Sequence, residues 1–255
     1  MGSKKPSPKS HTGLEKNMNK KYLFRILGMA IFLIGIVLAM VLFGGATWAD
    51  LEAAFYGFDD MGGGRLAGME CPILLTTSDI GTVGVTFKNP NDTTVSFMVR
   101  ADISNRGIFR SERSMLSLEG NQSKKVTWNV TSDDIDLRNF IFAQVSNYPA
   151  QKIPFRQATC GIMVIDLPQF TGKQVLAFAL IVILVGITGG LVLWEIFGAP
   201  QSGKLPEISR AMKTLGILVL LGLLFSFMGL WMFGVLLFAG SVLAIGVILG
   251  FLLAQ

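Results

Sequence analysis

The chain has 255 residues, 51% of them hydrophobic and only 15% charged, with a mean hydropathy of +0.55. A soluble globular chain carries about a quarter of its residues charged, so a wholly soluble protein is excluded at the outset. The formal net charge of +5 is not gathered on a folded domain, which argues against nucleic acid as a partner.

Residues 1–21 read as a basic cytoplasmic tail. Over the first 25 residues Lys4, Lys5, Lys9, Lys16, Lys20, Lys21 and Arg25 are opposed only by Glu15. The charge-free stretch Ile26–Ala49 follows, and residues 22–46 are expected to form a first transmembrane helix. A span needs about 20 apolar residues, and a charged side chain at the bilayer centre costs about 3 kcal/mol or more. Thr47-Trp48-Ala49 has the small residues of a cleavage site. The apolar run of about 18 residues exceeds a signal-peptide core, however, so an uncleaved anchor is expected.

Residues 47–69 are expected to be a flexible Gly-rich juxtamembrane linker, with Phe55, Tyr56 and Phe58 resting on headgroups. Gly62-Gly63-Gly64 is not followed by the Gly-Lys-Ser/Thr and helix of a phosphate-binding loop. Asp59 and Asp60 are adjacent carboxylates on that loop, a weak basis for a cation site.

Residues 70–170 show a period of two. It runs through Val83–Phe87, Val95–Ile103, Leu116–Leu118 and Val126–Val130, and Asn89-Pro90-Asn91-Asp92 and Glu119-Gly120-Asn121 supply turns. With Ile73–Ser78, Phe140–Ser146 and Thr159–Asp166 this makes about seven strands, the pattern of an antiparallel β-sandwich of immunoglobulin-like or fibronectin-like architecture, with Trp128 in its core. Cys71 and Cys160, the only cysteines, are expected to form a disulfide across a loop of about 90 residues, worth about 4–5 kcal/mol in the chain-entropy model. The sole histidine, His11, lies in the tail, so no metal site or cofactor is expected.

Arg106, Phe109, Arg110 and Arg113 fall on what reads as a connection between strands, and they are the candidate partner contact, since arginine and aromatics are enriched at interfaces. Asn91, Asn121 and Asn129 begin N-x-Ser/Thr triplets and are candidate glycosylation sites. Residues 50–173 together carry twelve basic and fourteen acidic residues.

Residues 174–197 are expected to be a second transmembrane helix, 198–210 a cytoplasmic loop, and 211–255 a helical hairpin forming helices 3 and 4, with its break around Phe227–Gly234. Lys204, Arg210 and Lys213 match the basic tail in sidedness. The positive-inside rule then puts both termini in the cytoplasm and residues 50–173 outside, in the plasma membrane by preference. Gly186 and Gly190, Gly246 and Gly250, and the Gly240–Ala244 pair repeat small residues at a spacing that permits close helix packing.

The expected fold class is therefore an α+β membrane protein: four transmembrane helices, with one extracytoplasmic β-sandwich inserted between the first and second. No nucleophile, base and orienting group stand at a meaningful spacing, so the chain is read as not an enzyme. The expected function is an accessory or interaction subunit of a membrane complex, in contact with lipids and with other membrane subunits or an extracytoplasmic protein. The alternative is a transport or channel component formed by the four helices, since uncharged pores exist. A membrane enzyme is less favoured.

Overall fold

The computed structural model describes residues 11–58, 64–148, 154–197 and 205–253. Four helices and nine strands follow in the order α1 (His11–Phe55), β1 (Gly64–Arg65), β2 (Met69–Glu70), β3 (Leu74–Thr76), β4 (Gly81–Lys88), β5 (Val95–Asn105), β6 (Ile108–Leu118), β7 (Ser123–Val130), a 3₁₀ turn at Ser132–Asp134, β8 (Phe140–Asn147), β9 (Arg156–Ile165), α2 (Gly172–Phe197), α3 (Leu205–Phe227) and α4 (Trp231–Leu253). Among the described residues three helical stretches are long and apolar enough to cross a membrane: Leu23–Phe55, Gly172–Phe197 and Ile208–Phe227. In α4 the described apolar stretch, Trp231–Val247, is shorter.

The chain divides into two compact units. One comprises residues up to Met40, Leu180–Leu220 and Gly240 onward; the other comprises Val41–Ala179 and Leu221–Ala239.

In the first unit α1 and α2 approach backbone to backbone. A Cβ on Gly186 would stand 2.9 Å from Gly35 Cα, and one on Gly190 would stand 2.6 Å from Phe32 Cβ. Small residues let the helices come this near, and Phe32 and Ile36 of α1 and Ile183 and Ile187 of α2 are buried. Met212, Leu215 and Val219 on α3 are buried in the same unit. Arg25 lies over the Trp194 ring at 4.3 Å, and Lys213 pairs with Glu195.

The second unit holds a two-sheet sandwich. One sheet has the order β1-β9-β8-β5-β6, with β3 also on β9; the other has the order β2-β4-β7. Between them lies a core of Val83, Val85, Phe87, Val99, Ile103, Leu118, Trp128, Val130, Ile141 and Ile162, with Phe87 and Phe97 edge to face at 5.5 Å. Alternation puts these residues inward, as the sequence predicts, and Trp128 is 6% exposed. The disulfide Cys71–Cys160 is present, tying the segment after β2 to β9.

Three features of the fold depart from the sequence reading. The sandwich is not wholly antiparallel, because β1 and β3 both pair with β9 in parallel. This is possible because the long intervening chain serves as the crossover that parallel strands need. The segment expected to be a loop at Arg106–Arg113 is mostly strand: β5 and β6 form a hairpin closed by the two-residue turn Arg106-Gly107. Its apolar signal is weak because β6 is an edge strand, and only its far end, at Leu116 and Leu118, covers the core. Finally, residues 47–55 of the expected linker are helical, since α1 runs on to Phe55. Ala, Leu and Glu dominate Ala49–Ala54, with no Pro or Gly to stop the helix.

This extension of α1 packs on the outer face of the larger sheet. A Cβ on Gly45 would stand 2.5 Å from Met163 Sδ, a Cβ on Gly161 would overlap the Ala49 carbonyl, and Ala53 is buried with Phe58 and Phe142. Gly45, Ala49 and Ala53 recur every four residues, so one small-residue stripe of the helix lies on the sheet. Thr47 Oγ1 donates to Ser226 Oγ at 3.2 Å, and Phe43 packs edge to face on Phe238 at 5.5 Å. The hairpin between α3 and α4 is closed by Gly229 at φ 68, with Leu230 N–H bonded to Phe225 O and Gly229 N–H to Ser226 O. That is the Schellman arrangement, and it falls inside the predicted break.

Candidate functional site

The arginine-aromatic group predicted as a partner contact is divided by the fold. Arg106 sits exposed at the tip of the β5–β6 turn with φ 42, and Arg113 is exposed on β6 opposite Arg100. Phe109 turns inward and packs on Phe58 at 5.7 Å. Arg110 is committed internally: its Nε donates to Asp134 Oδ1 at 2.8 Å, its Nη2 donates to Asn129 O at 2.6 Å, and it also pairs with Glu112. The Asp134 hydrogen bond raises the guanidinium pKa further, burial opposes this, and the charges of Asp134 and Glu112 add to it. Asp134 in turn caps the 3₁₀ turn through Thr131 N–H at 2.9 Å. Arg110 therefore joins β6 to the β7–β8 connection and has little left for a partner.

What β6 does offer is its backbone. Asn105 and Ile108 flank a two-residue turn and so exchange both hydrogen bonds. Alternation from that pair leaves the N–H and C=O groups of Phe109, Ser111, Arg113 and Met115 directed away from β5. Among the described residues no strand pairs with that side, and Ser111–Met115 are exposed, Met115 to 72%. The strand behind is held rigid. Arg100 and Asp102 of β5 are buried as an ion pair at 2.8 Å, Arg100 Nη1 donates to Tyr148 Oη at 3.3 Å, and Ser111 Oγ donates to Asp102. In the sequence this buried pair shows itself only as charge at alternate positions in an otherwise apolar run.

A second cluster gathers around Asp136. Its Oδ2 accepts from Tyr56 Oη and from Gly107 N–H at 2.9 Å, and its Oδ1 accepts from Leu137 N–H at 2.8 Å. Burial pushes the carboxyl up, but these three bonds outweigh it and hold its pKa below the ordinary value. Burial first, then the bond to Asp136 and its charge, push the Tyr56 phenol far up, so it remains the donor. Beside it Leu137 and Arg138 take φ 44 and 74, and Asn139 N–H bonds Leu137 O at 3.0 Å. This is the strained, positive-φ γ-turn. It presents Leu137, 50% exposed, and exposed Arg138 on a turn tied through Asp136 to the Arg106-Gly107 turn.

A cleft of about 460 Å³ opens between Asp50, Arg65, the disulfide, Gly161 and the α3–α4 turn, and one of about 330 Å³ shares Asp50, Arg65 and Gly229 with it. Asp50 Oδ1 accepts Gly161 N–H at 3.0 Å, and Arg65 Nη2 donates to Gly229 O at 3.3 Å. Neither residue stands out in the sequence, because a single acid at a helix end and a single arginine carry no pattern. The arrangement places a carboxylate acceptor and a guanidinium donor on the same cleft.

The remaining predicted positions are spread out. Gly186 and Gly190 lie at the α1–α2 contact, whereas a Cβ on Gly240, Gly246 or Gly250 would meet nothing within 4 Å, and Ala244 is half-buried. Asn121 and Asn129 are exposed and Asn91 is half-buried. Asn91 Nδ2 donates to Asn89 Oδ1, and Asn121 Nδ2 donates to Asp92 Oδ1. Asp59, Asp60, Gly62 and Gly63 lie outside the described residues. Among the described residues no group of three or more His, Cys, Asp or Glu side chains is placed to hold a metal ion.

No protein-family model matches the chain, and no curated protein does either. Solved structures share partial similarity. The CARDB domain of a Pyrococcus furiosus protein, solved with di-metal ions, is 18% identical with a TM-score of 0.31, over 39% of this chain and 91% of that one. A Paenibacillus sp. cycloisomaltooligosaccharide glucanotransferase is 14% identical at TM-score 0.31, over 40% of this chain and 14% of that one. A Listeria innocua β-glucosidase is 15% identical at TM-score 0.28, over 37% of this chain and 15% of that one. Scores of this size do not establish a common fold, and the two-sheet architecture stands on its own strand pairing.

Proposed function

We propose that the protein is an accessory subunit of a membrane complex that engages an extracytoplasmic partner through the free edge of β6. The observation that carries this reading is an eleven-residue edge strand with no strand on its outer side among the described residues and no proline or glycine within it. Natural sheets usually shorten, bulge or cover such an edge, and where they leave it regular it can accept a further strand. Arg113 and Met115 would flank the added strand, and Arg106, Leu137 and Arg138 would meet its end.

The same proposal includes four membrane spans, a plasma-membrane location, both termini in the cytoplasm and residues 50–173 outside. The length of α4, 23 residues, and the tight turn before it support a fourth span. The basic tail supports the orientation. Purification of the full chain from its native membranes in mild detergent tests the function. A stoichiometric partner that survives a second purification step is expected; a stable, partner-free monomer would contradict it.

A further inference from the structure

Just before α2 begins, two loops are fastened into one body. The β3–β4 turn donates Thr76 Oγ1 to Phe170 O at 2.8 Å, Thr77 Oγ1 to Asp166 Oδ1 at 3.0 Å and Ser78 Oγ to Pro168 O at 3.1 Å. Asp79 Oδ2 accepts both Thr76 N–H at 3.1 Å and Gly172 N–H at 2.5 Å, which joins the turn to the first residue of the helix. Gly172 is needed there because a Cβ would overlap the Leu74 carbonyl. The polar groups of this junction are thus turned toward one another. Beside exposed Ser78, Asp166, Gln169 and Thr171 it shows three large apolar side chains outward: Ile80 is 72% exposed, Phe170 53% and Leu167 44%.

We infer that Ile80, Leu167 and Phe170 form a collar seated in the interfacial layer of the lipid bilayer, so that the sandwich is held against the membrane rather than suspended above it. The inference rests on the membrane-spanning reading of α2 made above. Phe170 lies two residues before Gly172, where the apolar stretch Gly172–Phe197 starts, so the collar is continuous with that stretch. Ile80 is the informative member. It is remote from any helix in sequence and is brought to this level by the β3–β9 pairing and the hydrogen bonds of the Thr76–Asp79 turn. Three large apolar side chains exposed on one fastened body, with the Thr76, Thr77 and Ser78 hydroxyls and the Asp79 carboxylate hydrogen-bonded within it, fit the mixed polar and apolar bilayer interface better than bulk water. Exposed Lys173 can extend its ammonium to the headgroups from the same body.

The native cysteines are both in the disulfide, so a single added cysteine can carry a nitroxide label in full-length protein reconstituted in phosphatidylcholine vesicles. Labels would be placed at Ile80→Cys and Phe170→Cys, at Lys88→Cys on the other end of β4, and at Val185→Cys in α2. The Ile80 and Phe170 positions are expected to lose most of the line broadening by a water-soluble nickel complex that Lys88 shows, and to gain broadening by oxygen. A label at Ile80 as accessible to nickel as Lys88, with Val185 still shielded, would overturn the collar and leave the spans standing. Nickel access at Val185 as well would overturn the membrane-spanning reading itself.

Discussion

Asp50 Oδ1 accepts the N–H of Gly161 at 3.0 Å, and this bond closes a gap in the edge of β9. β1 covers Arg156 and Gln157, and β3 covers Met163–Ile165. Between them the Gly161 N–H faces no strand, and the side chain of a helical residue takes it. The missing Cβ of Gly161 lets the Ala49 carbonyl lie against the same residue. Gly161→Ala is expected to cost about 1–3 kcal/mol through forced overpacking. Asp50→Ala is expected to cost about 1 kcal/mol or more by leaving a half-buried donor unmet. Denaturant unfolding of the detergent-solubilised chain, followed by sheet circular dichroism, measures both.

The Leu137-Arg138 turn stores strain that only its surroundings sustain. A left-handed backbone costs an ordinary residue about 1–2 kcal/mol, so Arg138→Gly is expected to raise the stability of the sandwich by about 1 kcal/mol. Asp136→Ala removes the acceptor of three hydrogen bonds and is expected to lower stability by about 2 kcal/mol. Thermal unfolding of the two variants side by side should move in opposite directions.

The acid limit of the fold follows from Asp79 and Asp136. Burial pushes the Asp79 carboxyl up, but the N–H groups of Gly172 and Thr76, the Thr76 side chain and the Lys173 charge outweigh it and lower its pKa. Asp136 is lowered too. A carboxyl with a depressed folded value binds fewer protons when folded than when unfolded. Its stabilisation is therefore fully present above the unfolded value, about 3.9, and fades as pH falls through the folded value. The unfolding temperature should be insensitive to these groups at neutral pH and should drop below about pH 4. The Asp79→Asn and Asp136→Asn double variant should show a shallower acid limb; an unchanged limb would contradict the assignment.

The disulfide joins Cys71 to Cys160 across a separation of 89 residues. Replacing both cysteines with serine is expected to cost about 2–5 kcal/mol, read as a lower denaturant midpoint. The unreduced parent should also run faster than its reduced form in a denaturing gel.

Where burial imposes a period, the architecture was legible in the chain. Val83–Phe87 and Val95–Ile103 alternate because one face of each meets the other sheet, and Cys71 and Cys160 had only each other to pair with. The apolar stretches of α1, α2 and α3 were legible by length alone. β6 was not, because an edge strand lies half in water and Arg110, Ser111, Glu112 and Arg113 carry no alternation. The run of α1 past Ala46 was hidden by the neighbouring glycines, which suggested a linker although Ala49–Ala54 are good helix formers. The parallel pairings of β1 and β3 involve two or three residues each, too few to leave a pattern. Among the site residues, Arg106 and Arg113 are exposed. The inward turn of Phe109 and the engagement of Arg110 by Asp134 depend on segments far away in sequence.

Met115→Pro tests the central claim most directly. The Met115 N–H points away from β5, so proline there removes a donor from the free edge while sparing the β5–β6 ladder. Co-purification of the stoichiometric partner from native membranes should fall at least about tenfold, a loss of about 1.4 kcal/mol in binding, with the unfolding temperature unchanged. Full retention of the partner by a folded Met115→Pro chain would contradict the account.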